Sequence, residues 1–198
     1  ALEYLAVSDY SAENRLRAFH SLSSLGMICN KGGRFEEAEA YLYEALPYLD
    51  EVPEEQYIYF TAERAGVFNY LGYLYDGAED YARAEECYVR ALQIREKLRT
   101  YSVNVEDHYA TTLGNLAFVY DSIGRFEESD RAFEDTIAIQ KKLAYSNPRE
   151  LLVQYAKSLY NYVYTVRNRY FEESDYKYSG LRPTTILVTP ESRAYSAI

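Results

Sequence analysis

The feature that most constrains this chain is a spacing pattern that recurs. Around Gly26, Leu22 and Leu25 precede and Cys29 follows, which marks one face of a helix at i, i+3, i+4 and i+7. A break follows at Lys31-Gly32-Gly33-Arg34-Phe35, and a second face is set by Ala38, Leu42 and Ala45. Moving on 46 residues reproduces the set as Phe68, Leu71, Gly72 and Tyr75, then Ala84, Tyr88 and Ala91. Another 45 residues give Leu113, Leu116, Ala117 and Tyr120, then Ser129, Phe133 and Thr136. A chain that repeats at such a period cannot bury one unit alone. It buries a continuous core by stacking helix pairs.

The chemistry at the repeated positions suits that arrangement. Small residues at 26, 72 and 117 let the first helix of a unit (helix A) approach its own second helix (helix B), and those at 38, 84 and 129 do the same from the other side. Leu42, Tyr88 and Phe133 are expected to fill the space toward the next unit. Gly33 and Gly124 can take the left-handed conformation that ends a helix. Phe35 and Phe126 follow two residues later and are expected to seat helix B.

A fourth, degraded unit follows. Its helix A is predicted from about Arg149 to Arg169, with Leu159, Tyr162, Val163 and Val166 inward. Phe171-Glu172-Glu173-Ser174-Asp175 then repeats Phe126-Glu127-Glu128-Ser129-Asp130 letter for letter, after a turn one residue shorter with Arg169 in place of the glycine. Gly180 and Pro183 are expected to stop the last helix early. At the other end Ala1-Leu2-Glu3-Tyr4-Leu5 resembles Ala45-Leu46-Pro47-Tyr48-Leu49, the close of a helix B. The expected organisation is a helical repeat domain over 1–182, with units at about 12–53, 54–101, 102–147 and 148–182. Residues 1–11 close a preceding unit, and 183–198 form an extended tail.

Composition narrows the function. A net charge of −10 argues against a phosphate-backbone ligand, so no nucleic-acid partner is expected. Solubility is the plain reading of the acidity, and a basic partner the sharper one. The 24 tyrosines beside no tryptophan suit both a helical core and a ligand-touching face, since each carries apolar area and one hydroxyl. Cys29 and Cys87 fall within helical patterns and form no metal-ligand spacing with His20 or His108, so they read as buried structural thiols. Glu36-Glu37, Glu85-Glu86, Glu127-Glu128 and Glu172-Glu173 read as acidic openings of the B helices, complementing the helix dipole. No nucleophile and base are placed together, and no phosphate loop or zinc motif occurs. The chain therefore reads as a non-enzyme without cofactor or metal. It shows no membrane-length apolar run and no signal-peptide core, which points to a cytoplasmic protein with no membrane partner.

These spacings resemble the tetratricopeptide repeat: large, large-small and aromatic in helix A, then small, aromatic and small in helix B. The usual unit is about 34 residues. The longer unit here is similar to the kinesin light chain subclass and related bacterial repeats, above all at Thr112-Leu113-Gly114-Asn115-Leu116-Ala117 and Ala91-Leu92-Gln93-Ile94-Arg95-Glu96-Lys97. The resemblance covers about residues 12–180 and departs at Thr136, where a small apolar residue is usual. It implies an all-α fold, a right-handed superhelix of antiparallel helix pairs whose A helices line a concave groove, here with a short non-helical C-terminal tail.

The resemblance also implies where a ligand sits. The groove positions are Ser24, Met27 and Lys31 in the first unit, then Tyr70, Tyr73 and Gly77, then Asn115, Phe118 and Ser122, then Lys157, Asn161, Tyr164 and Asn168. Asn115 and Asn161 matter most, because a side-chain amide can donate to and accept from a peptide backbone at once. Tyr70, Tyr73, Phe118 and Tyr164 would form side-chain pockets, with Lys31 and Lys157 as the sparse groove cations. Each residue has a plainer use: an asparagine can bond only the neighbouring helix, and a tyrosine can simply cover the core. The expected function is a protein or peptide interaction scaffold. A peptide-sensing receptor module of a larger bacterial signalling protein is the alternative. Thr184-Thr185-Ile186-Leu187-Val188-Thr189, a β-prone run between prolines, reads first as a loosely packed terminus and second as a segment that docks on its own groove or on a neighbouring molecule, a route to self-association.

Overall fold

A computed structural model describes residues 12–50, 57–99 and 103–174. It contains seven α-helices among them: α1 Ala12–Lys31, α2 Phe35–Ala45, α3 Tyr57–Gly77, α4 Tyr81–Leu98, α5 Val103–Ser122, α6 Phe126–Ser146 and α7 Pro148–Ser174. The described residues include no strand. The fold is an all-α solenoid of helix pairs, with α1 packed on α2, α3 on α4 and α5 on α6, and α4 packed in turn on α5. Compactness divides the chain into a first unit, 1–162, and a second, 163–198. The expected tail and the expected end of a preceding unit lie outside the described residues.

Each pair closes on the small anchor of helix A. A Cβ built on Gly26 would lie 2.9 Å from Leu42 Cγ, and one on Gly72 would lie 2.7 Å from the Tyr88 ring. Leu42 and Tyr88 thus fill the space against their own helix A, within a core that also takes in residues of the next unit. Phe133 meets Phe118 of its own unit edge-on at 5.0 Å and Tyr162 of α7 at 5.5 Å. Thr136 fits a small-residue position because its hydroxyl, buried with the rest of the side chain, donates to the Ala132 carbonyl at 2.8 Å. Its methyl faces Gly114, whose added Cβ would lie 3.4 Å away.

The three A-to-B turns share one hydrogen-bond pattern. Gly33 N–H donates to Asn30 O and Arg34 N–H to Cys29 O; Gly124 and Arg125 repeat this with Asp121 and Tyr120. Gly33 and Gly124 are left-handed, with φ +73° and +77°. The second turn makes the same bonds from Glu79 and Asp80, although Glu79 has a side chain at φ +60°. Asp80 supplies what the other turns lack, a side chain that caps helix B by accepting from Arg83 N–H at 3.1 Å. Because a left-handed residue with a Cβ costs roughly 1–2 kcal/mol, part of which glycine gives back as unfolded-chain entropy, Glu79→Gly is expected to raise stability by about 0.5–1 kcal/mol. A lower urea midpoint for the variant would contradict this. Phe35 and Phe126 do open α2 and α6, with 40% and 44% of their surface exposed.

The units meet at a register-equivalent pair that changes chemistry along the array. At the first junction Leu49 and Val67 are both buried in one apolar core. At the second, buried Arg95 donates to the hydroxyl of buried Thr112. At the third, Gln140 accepts from Ser158 at 2.6 Å.

The fourth unit departs from expectation. Asn147 and Pro148 start α7, with Asn147 O accepting from Leu151 N–H and Pro148 placed where a missing N–H is harmless. The helix then runs unbroken to Ser174, so the turn expected before Phe171 does not form. Nothing there takes a left-handed conformation, which in each earlier unit is what ends helix A. Leu159 and Val163, expected inward, are 37% and 63% exposed. Among the described residues no helix follows α7 to cover them.

Candidate peptide-binding face

Helices α1, α3 and α5 stand side by side in the first unit, joined by polar contacts between neighbouring A helices. Asn30 Nδ2 donates to Tyr70 Oη at 3.3 Å, and Tyr59 Oη pairs with His20 Nε2 at 3.4 Å. Between α3 and α5, Thr112 Oγ1 donates to Asn69 Oδ1 at 2.7 Å and Asn115 Nδ2 approaches the same oxygen at 3.5 Å.

The structure places the expected residues unequally. Tyr70 and Tyr73 lie together with ring centroids 6.1 Å apart. Burial raises the pKa of the Tyr70 phenol, so it stays protonated, and its proton is unused by the bond it accepts from Asn30. Tyr73 is 52% exposed. Asn115 is half-buried and bonded to Asn69, which is the plainer of its two expected uses, but its own carbonyl oxygen is not engaged in that bond. Phe118 is mainly a core residue, packed on Ala117, Ala132 and Phe133. Lys31 is exposed in the last turn of α1, where a cation also suits the dipole. Lys157 and Asn161 are half-buried on α7 in the first unit, whereas Tyr164 lies in the second unit and is exposed.

Four residues that the repeat pattern did not place in the groove support the face: Asn30 and Asn69 on its helices, and buried Thr112 and Arg95 behind them. Asn69 directly precedes Tyr70, and the same register position holds Ser23 and Gly114 in the other units. An amide side chain there, where the other units hold serine and glycine, was the available signal. Arg95 is buried and donates to the His108 carbonyl at 2.8 Å and to Thr112 Oγ1. No carboxylate among the described residues pairs with it, and burial lowers its pKa to about 10, still charged at neutral pH.

Other electrostatics serve the scaffold. Glu39 pairs with Arg83 of the next unit at 3.3 Å, and Glu85 with Arg125 of the next at 2.7 Å. Each arginine also lies 4.3 Å from a ring, Tyr75 or Tyr120. Tyr75 donates to Glu39 at 2.5 Å, and burial with that bond drives its pKa far up. Glu36, Glu37, Glu127 and Glu128 do sit in the first turns of their helices. Glu85 and Glu86 do not: they lie one turn into α4 and bond Arg125 and Arg90. Cys29 and Cys87 are buried and unpaired, and burial pushes the Cys87 thiol up to about 11. Among the described residues no group of three or more metal-ligating side chains occurs, and no helix is long and apolar enough to cross a membrane.

Family profiles of the tetratricopeptide repeat match residues 63–142 and 19–46. Among solved structures the chain is similar to BtubC (BKLC) from P. vanneervenii, with 30% identity and a TM-score of 0.55 over 69% of this chain and 49% of that one. It thus spans about half the length of that relative. It is also similar to the C-terminal TPR-containing domain of a Plasmodium falciparum protein of the FK506-binding kind, at 19% identity and TM-score 0.54, covering 85% of this chain and 98% of that one. The yeast histone chaperone Hif1 matches at 17% identity and TM-score 0.55, covering 68% and 56%. These last two bear on the fold alone. A search of curated proteins found no match. Profile, spacing and helix pairing agree: the chain carries tetratricopeptide repeats over residues 19–46 and 63–142.

Proposed function

We propose that this chain is an interaction scaffold of the long-repeat, kinesin-light-chain-like kind, which binds an extended peptide along its A-helix face. The observation that carries the reading is Asn115. Its amide is anchored from one side by Asn69 and retains an acceptor and a donor, beside the Tyr70–Tyr73 pair. That combination suits one peptide unit, which offers one N–H and one C=O. Exposed Tyr73 supplies a large rigid surface for a ligand side chain. Asn161 and Lys157, which make no hydrogen bond or ion pair among the described residues, extend the set onto α7. The net charge of −10 favours a basic peptide.

The test starts from a displayed library of random dodecapeptides, with the best binder resynthesised and its affinity read by fluorescence anisotropy. Asn115→Ala and Asn161→Ala are each expected to weaken that affinity about five- to tenfold, the worth of one net hydrogen bond. Affinity should also fall as salt rises. A selected peptide whose affinity neither substitution changes would refute the face as the binding site.

A further inference from the structure

We infer that Arg95 is a positioning residue for the groove asparagine Asn115, acting through Thr112 and Asn69 from inside the junction between the second and third units. This rests on the peptide-binding reading of the same face.

The argument follows the protons. Arg95 can only donate, and it donates to the His108 carbonyl at 2.8 Å and to Thr112 Oγ1. Thr112 has one hydroxyl proton and two acceptors in reach, His108 O at 3.0 Å and Asn69 Oδ1 at 2.7 Å. The His108 carbonyl already takes the Arg95 proton and stands one turn before Thr112 in α5, where it also accepts the helical N–H. Both its lone pairs are used. The hydroxyl proton therefore goes to Asn69, which fixes the Asn69 amide with its oxygen toward Thr112. That oxygen has one lone pair left, and only a donor can fill it. Asn115 must then turn Nδ2 toward Asn69, 3.5 Å away, and its carbonyl oxygen outward. One cation in the core thus sets which way a half-buried groove amide faces, through two intervening side chains.

The register shows that the fold does not need the cation. The residues equivalent to Arg95 and Thr112 at the preceding junction are Leu49 and Val67, 3% exposed each. A buried ionic group replaced by apolar residues of matching shape is often neutral for stability.

The experiment is an Arg95→Leu/Thr112→Val double variant of the full chain, labelled with nitrogen-15. The Asn115 side-chain amide is assigned by its loss in Asn115→Ala. In the parent chain this amide is expected to be ordered and slow to exchange with water. In the double variant the thermal midpoint should stay close to the parent's, while exchange at this amide rises about tenfold and its order falls. Thr112→Val alone should raise exchange at this amide likewise, at a lower midpoint because Arg95 keeps its charge beside a valine, and Thr112→Ser, which keeps the hydroxyl, should not; read below both midpoints, this pair decides the matter if the double variant fails to fold. An Asn115 amide equally ordered in the parent and in Thr112→Val would overturn the inference. The binding arm separates the two claims. If the selected peptide ignores Asn115→Ala, the peptide reading fails while the amide measurement still decides the role of Arg95. If the peptide responds to Asn115→Ala, the double variant should lose about as much affinity, and adding Asn115→Ala to it should lose little more.

Discussion

Truncating Phe133 to alanine is expected to lower the free energy of unfolding by about 3–5 kcal/mol, the range for a large aromatic deleted from a packed core. Phe133 is 1% exposed and stands between Phe118 on α5 and Tyr162 on α7. Its removal leaves a void that two other rings line, and neither can collapse into it without leaving its own helix face. The effect should also be uneven. Among the described contacts, α7 within the first unit is held to α6 through this ring and the Ser158–Gln140 bond. Amides of residues 151–162 should therefore exchange faster by a larger factor than those of α3. Urea denaturation gives the first number and hydrogen exchange the second. A loss under 1 kcal/mol, or exchange that rises equally along the array, would mean that α7 is held by something other than this stack.

Two glycines six residues apart on α3 are expected to respond in opposite directions. Gly72→Ala should cost about 2 kcal/mol, because the new Cβ would lie 2.7 Å from two ring carbons of Tyr88, itself 1% exposed. Overpacking of this kind typically costs 1–3 kcal/mol. The third unit does hold an alanine at this position, Ala117, with Phe133 opposite, so the variant should fold with α3 displaced from α4. Gly66→Ala meets nothing within 4 Å and should gain about 0.5–1 kcal/mol from helix propensity alone. Denaturation of both variants side by side checks the pair. Equal signs would show that helix propensity, not the approach of α3 to α4, governs these positions.

Much of the fold was legible because the repeat is written in residue size. Gly26 and Gly72 could be read as close-approach points, and Gly33 and Gly124 as helix ends, since only a few residue types suit those places. Glu79 was not legible: nothing in its chemistry announces a left-handed backbone, and only its register with the two glycines does. The fourth unit misled for the converse reason. Phe171-Glu172-Glu173-Ser174 copies the opening of α6, but such an opening does not end the helix before it, and here the residue that would end it is missing. In the candidate site the tyrosine pair and Asn115 could be named from their positions. Arg95 could not, because an arginine on an amphipathic helix reads as a solvent-facing residue until the neighbouring unit is in place to cover it.

The three junctions carry a consequence for how such an array changes over time. An apolar core holding leucine and valine, an arginine on a threonine and a glutamine on a serine are three different junction chemistries. If a unit were duplicated or exchanged by recombination within the gene, Arg95 would face a valine like Val67 and lose the hydroxyl that takes its proton. Leu49 would meet a threonine with nothing to offer it. A misplaced buried charge of this kind is strongly destabilising. The interfaces thus favour the present linear order of the units, because a rearranged array would carry a buried charge without its hydroxyl partner.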